Sequence, residues 1–228
     1  MRPFLNPAHI LTFLLFYIRA RDLNRPIHAS IAKQTTPMYK TIRDLLTSIA
    51  PDLQGLNTHR YRANISGGVQ EFMEAVLFQH YLETQRVMRF EDASAALPEG
   101  IALGYEDYVL GLFDMIGELM RFAITYMATN GSLPGTAVVP KGSSGGGSSI
   151  LVDLQALRTE LEAIDPSGSY LLSKDFGQKL KTARASTEKV ENGVYSMIVR
   201  GKERPKGWRP DAEGAPERER EREQIESY

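Results

Sequence analysis

Apolar residues recur along this chain at three- and four-residue intervals, and no stretch alternates with the two-residue period of a half-buried strand. Residues 37–49 (PMYKTIRDLLTSI) place Met38, Ile42, Leu45, Leu46 and Ile49 at helical spacing, and Pro51 ends that pattern. Residues 52–68 read as a connection in which Ser66-Gly67-Gly68 prepares entry into a helix over 69–88. A loop with a short helical piece is expected over 91–101. A long helix over 105–128 should stop at Asn130-Gly131. Residues 152–164 form an amphipathic helix, and 170–200 a last long one, with possible breaks at Ser173 and Gly193. The fold class is therefore all-α, and no internal repeat is visible.

Two acidic pairs interrupt the apolar helices. Glu71 and Glu74 lie in VQEFMEAVLFQHYLE, and Asp114 and Glu118 in YVLGLFDMIGELMRFAITYM. Positions three or four apart share a helix face, so each pair points one way, and the second line continues to Arg121. The first helix is apolar nearly all round, with Ala75, Phe78 and Leu82 near the Glu71/Glu74 direction and Phe72, Met73 and Val76 opposite, as expected of a buried helix. If the two helices pack side by side, the four carboxylates meet. Desolvating an ionised carboxylate is costly unless it is paired or bound to a cation, and a metal ion is the most economical reason for such a group. A solvated stripe, or a salt bridge between Glu118 and Arg121, accounts for the same spacing. On the salt-bridge reading, neutralising Glu118 would strand a buried guanidinium.

Composition narrows the chemistry. The chain has 228 residues, 42% of them hydrophobic, enough for one sizeable core. It contains no cysteine, which removes disulfides, zinc-thiolate sites and cysteine nucleophiles and fits a reducing intracellular compartment. Any metal would be held by oxygen or imidazole. The net charge of -1 is unevenly spread: residues 1–70 carry nine Lys/Arg against three Asp/Glu, whereas residues 71–130 carry three against ten. A basic front beside an acidic middle suits a protein that holds a polyanion near a cation site, with a partner supplying further positive surface. The apolar run at 10–18 (ILTFLLFYI) is too short to span a bilayer, and Arg19, Arg21 and Asp22 follow it where a signal-peptide cleavage site would want small residues. It reads as the buried face of a first helix, or as a poorly defined N-terminus, rather than as a secretion signal.

Other motifs carry less. His80 lies off the face of Glu74, no Gly-rich phosphate loop follows a strand, and no serine stands in a nucleophile elbow. Arg60, Tyr61 and Arg62 mix basic and aromatic groups in the manner of single-strand binders, although a surface turn explains them equally well. Two Glu-x-x-His motifs, which a di-iron or di-manganese oxidase bundle requires, are absent.

The segments ISGGVQEFMEAVLFQHYLE, YEDYVLGLFDMIGELMRFAI and KLKTARASTEKVENGVYSMIVRGKERPK, in this order, resemble the TRAX-type branch of the translin family. The likeness runs from about residue 64 to 206 and more weakly back to 25. It implies a translin-like bundle of six or seven helices over 25–204, with a flexible linker at 134–149 (PKGSSGGGSS at its end), an atypical segment at 1–24 and a charged, disordered tail at 205–228. It further implies a Mg²⁺-dependent endoribonuclease, with Mn²⁺ as a possible substitute, that assembles with translin in a hetero-oligomeric barrel. Such a barrel binds single-stranded RNA and DNA and cleaves passenger-strand and tRNA fragments in the cytoplasm and nucleus, with no membrane involved. The branch carries its catalytic acids in the E-x-x-E and D-x-x-x-E motifs, here Glu71, Glu74, Asp114 and Glu118. Glu74 and Glu118 are the expected metal ligands, and Glu71 and Asp114 bind through water, hold a second ion or orient the nucleophile. Arg60, Arg62 and Arg121 are candidate nucleic-acid contacts. The family's other branch, translin itself, is a non-catalytic binding subunit, which is the alternative function.

Overall fold

In a computed structural model, the described residues are Leu23, residues 28–135 and residues 149–201. Among them the chain forms seven α-helices and no strand: α1 Ala29–Ile49, α2 Leu56–Arg60, α3 Arg62–Thr84, α4 Phe90–Ala96, α5 Tyr105–Asn130, α6 Ile150–Glu162 and α7 Tyr170–Gly201. Short 3-10 turns at Ala50–Leu53 and Pro166–Gly168 follow α1 and precede α7. The all-α expectation holds. No helix among these residues is long and apolar enough to cross a membrane. The apolar run at 10–18, most of the linker expected at 134–149 and the charged tail at 205–228 lie outside the described residues.

The connection expected over 52–68 contains the short helix α2, and the helix expected to reach 88 ends at Thr84, with Gln85 in the left-handed region at φ 52°. Three further differences have their own reasons. α1 begins eight residues before Pro37 and continues through it, since proline's fixed φ is helical and the interruption removes a single backbone hydrogen bond. The α3 helix begins at Arg62, so Gly67 and Gly68 lie inside it on the solvent side, where an added Cβ would meet nothing within 4 Å. Their helix-weakening effect is offset by Ser66 between them and the start, whose hydroxyl is buried against Asp107. α7 is unbroken at Gly193, where a Cβ would stand 3.0 Å from Met127 Cε and 3.2 Å from Ile124 Cδ1. That glycine lets α7 approach α5 closely. The end of α5 is as expected, with Gly131 at φ 63° and its amide donating to the Met127 carbonyl at 2.9 Å.

Cross-helix pairs give the topology. Ser66 and Gln70 meet Asp107, and Met73 meets Gly111, so α3 and α5 run parallel. Phe113 packs edge-on against Phe176 with ring centres 5.4 Å apart, and Asp114 meets Lys179, so α5 and α7 also run parallel. α6 runs antiparallel to α7, with Gln155 Nε2 donating to Glu191 at 2.6 Å and Arg184 Nε to Glu162 at 2.8 Å, and its Asp153 accepts from the Tyr81 hydroxyl of α3 at 2.6 Å. α1 covers the outer side of α3 through Tyr39, whose hydroxyl donates to the Ala75 carbonyl at 3.3 Å and whose ring stands edge-on to Phe72. α5 is thus the central helix, flanked by α3 and α7. The core runs along it: Leu110, Met115, Ile116 and Leu119 with Phe72, Met73, Leu77 and Phe78 are all buried. At roughly 1.5–3 kcal/mol for each fully buried large apolar side chain, this seam is the main source of stability.

Candidate acidic site between the two central helices

The parallel packing of α3 on α5 brings three of the four candidate acids together. Gly111 is what permits it: a Cβ there would lie 2.9 Å from Met73 Cβ and 3.6 Å from the Glu74 amide, so the backbones meet at the turn preceding the acids. One turn on, Asp114 and Glu118 project from α5 toward Glu74 on α3. Burial pushes the Glu74 carboxyl up to about 8, and the negative charges of Asp114 and Glu118 push the same way, while Arg121 and Lys179 pull it down less strongly. Among the described residues Glu74 accepts no hydrogen bond and forms no ion pair.

The other two acids are paired. Glu118 is 1% exposed and bound to the Arg121 guanidinium from one turn along the same helix. Asp114 accepts from the Lys179 ammonium at both oxygens, 2.6 and 2.5 Å. The cluster therefore contains three carboxylates and two cations, and with every group charged it is one positive charge short. That imbalance falls on Glu74, the one of the three acids with no ion pair among the described residues, and it accompanies the upward push on its carboxyl. Glu71 is exposed on α3, one turn before Glu74, and is not among the charges acting on it.

Lys179 is the site residue that the acid spacing does not reveal. The signal is in α7: Phe176 and Ala183 are both buried, and Lys179 falls between them at i+3 and i−4, which puts a cation on the core-facing side of a helix. Arg121 corrects a second expectation. Its side chain is 53% exposed, so neutralising Glu118 would not strand a buried guanidinium, because the head group can turn to water.

Of the other candidate nucleic-acid contacts, Arg62 is held by Glu106, which also accepts from the Ser169 hydroxyl at 3.0 Å. These bonds, with one from its own backbone, outweigh partial burial and hold the Glu106 carboxyl below its usual range. Arg60 is exposed, with its guanidinium 5.5 Å from the centre of the Tyr61 ring. A buried triad at the foot of the helix pair fixes their register: Asp107, 3% exposed, accepts from Ser66 and from Gln70 Nε2 at 3.1 Å.

Among the described residues no three histidine, aspartate or glutamate side chains stand ready around one point to hold a metal ion. The pairing with Lys179 and Arg121 is the reason, since two of the three acids are turned to those cations. The donor set itself fits a hard divalent ion: carboxylate oxygens from two helices, one unpaired, with a deficit of positive charge.

The chain matches the translin family over residues 9–201. It is 27% identical over 214 residues to translin-associated protein X of Mus musculus, covering 83% of this chain and 68% of that protein. It is 32% identical over 167 residues to the translin-associated protein X homolog of Schizosaccharomyces pombe, covering 73% of this chain and 65% of that protein. The chain thus spans about two thirds of the length of these relatives. With its all-α architecture and the motif blocks in their expected order, the chain belongs to the translin family.

Proposed function

We propose that this chain is the catalytic subunit of a complex with translin, a Mg²⁺-dependent endoribonuclease that acts on single-stranded RNA. One observation carries the reading: α3 and α5 bring Glu74, Asp114 and Glu118 together with too little positive charge to match them. Structural ion pairs alone would need only the two acids that have partners. The relatives' names, which associate those proteins with translin, support the partner.

Glu74 and Glu118 would hold the ion from two helices, with Asp114 beside them and Glu71 on the solvent side reaching it through water. A bound Mg²⁺ supplies a Lewis acid for the phosphodiester and lowers the pKa of a water so that it can attack at neutral pH. A cation here would favour the ionised form of Glu74, so its affinity would rise with pH. Arg121 pairs with Glu118 from one turn along the same helix. Single-stranded RNA is the substrate class that the family resemblance implies, and a bound cation would be needed to offset the repulsion between its phosphate and these acids. Passenger-strand and tRNA fragments, in the cytoplasm and nucleus, are the substrates and setting to which this reading extends, with Mn²⁺ able to replace Mg²⁺ and single-stranded DNA bound by the same complex.

The pairing of Asp114 and Glu118 favours a second reading, a non-catalytic subunit in which the cluster is structural. Co-expression with translin followed by a single-stranded RNA cleavage assay separates the two. The catalytic reading expects cleavage in Mg²⁺ that EDTA abolishes and added Mg²⁺ restores. A stoichiometric complex that binds RNA but never cuts it would establish the second reading instead.

A further inference from the structure

The two cations of the site differ in reach. Arg121 comes from the same helix as Glu118, one turn away, and its 53% exposed side chain bonds an acid that is itself buried. Lys179 comes from α7 and seats its ammonium across both oxygens of Asp114, at 2.6 and 2.5 Å. That is the edge by which a carboxylate grips a divalent cation with both oxygens. Two positive charges cannot share it at contact distance. The pair also lies at the open side of the cluster: the Lys179 and Asp114 side chains are 24% and 34% exposed, against 1% for Glu118. A lysine has a flexible four-carbon stem and a compact charge, so its head group can leave one carboxylate and remain within reach of its neighbours. Its third property is that an ammonium freed from a carboxylate is a ready phosphate ligand.

We propose that Lys179 is a built-in counter-ion of the acidic site, displaced from Asp114 when a divalent cation binds and thereby delivered to the phosphate of the RNA being cut. The inference rests on the metal reading above and adds to it a residue and a role. In the absence of metal, Lys179 keeps Asp114 and its neighbours from repelling one another. With metal present, its charge moves to the substrate side. An arginine would serve this role poorly, because its planar fork would grip Asp114 at both oxygens and hold on.

The test is Mn²⁺ binding by the full chain in complex with translin, followed through loss of the free-ion electron paramagnetic resonance signal, for wild type, Lys179→Met and Lys179→Arg. Removing the competing charge should tighten Mn²⁺ binding by roughly tenfold in Lys179→Met, while Lys179→Arg should weaken it, since a partly exposed charge contact of this kind is worth about that much. Cleavage at saturating Mg²⁺ should nevertheless fall in Lys179→Met, because the phosphate has lost its ammonium. Opposite shifts in the two variants are not expected of a residue that merely holds α7 in place, and they keep the test decisive should one variant fold poorly. If wild type binds Mn²⁺ at this site and neither variant changes the affinity, the role of Lys179 is overturned and the metal site stands. If wild type binds no Mn²⁺ that Glu74→Gln removes, the metal reading itself fails, and the displaced counter-ion with it.

Discussion

At the scale of single residues, Glu74 sets the electrostatics of the site. Its carboxyl titrates near 8 in the folded chain, above the 4.5 of an ordinary glutamate, because it is buried beside Asp114 and Glu118. The folded state therefore holds the proton more tightly than the unfolded one. This contribution is complete below about pH 4.5 and is lost progressively as pH rises toward 8. Glu74→Gln, which keeps the shape without the charge, should melt higher than wild type near pH 8 in EDTA. The gain is expected to be on the order of 2–4 kcal/mol after allowing for solvent near the group, and to vanish at about pH 5. Thermal melting of both proteins across that range checks it, and equal melting at every pH would remove Glu74 from the cluster. Mg²⁺ should raise the melting temperature of wild type at the higher pH and leave the mutant unmoved.

At the scale of elements, two glycines of α5 lead to opposite expectations. Gly111 lies where the backbones of α3 and α5 meet, and a methyl group there would press on Met73 Cβ at 2.9 Å. Gly111→Ala should cost about 1–3 kcal/mol by overpacking, and should lower Mg²⁺ affinity because the push is delivered beside Glu74 and one turn from Asp114. Gly117 has nothing within 4 Å of an added Cβ. Gly117→Ala should stabilise the helix by roughly 0.5–1 kcal/mol. Urea denaturation of the two variants tests the parallel contact directly. The helices themselves were legible because apolar spacing is a local signal, and α5 ends where Asn130-Gly131 indicates. At Pro37 and at Gly67-Gly68 the helix runs through a residue that disfavours it, and at Gly193 the glycine makes room for Met127 and Ile124 of α5. The acids were legible for the same reason as the helices, since a charge in an apolar stripe stands out. Lys179 was not, because its pairing with Asp114 depends on the register of two helices 65 residues apart in sequence.

At the scale of the whole molecule, the charge distribution predicts dependence on a partner. Ten acids against three bases over residues 71–130 make the stretch that carries the candidate acids negative, which opposes RNA unless positive surface is brought from elsewhere. The chain alone should bind single-stranded RNA weakly. In complex with translin, binding should be tighter and should fall steeply with salt, which a filter or anisotropy titration at two ionic strengths will show. Tight binding by the isolated chain at physiological salt would contradict this. The central claim is that the acids between α3 and α5 hold a catalytic cation, and Glu118 is its most exacting test because it is 1% exposed and already has a structural partner in Arg121. The decisive measurement is the rate of Mg²⁺-dependent cleavage of single-stranded RNA by the translin complex carrying Glu118→Gln, relative to wild type. The rate is expected to fall by at least roughly a hundredfold while the complex still assembles, melts within a few degrees of wild type and binds RNA. Undiminished cleavage by that complex would contradict the assignment.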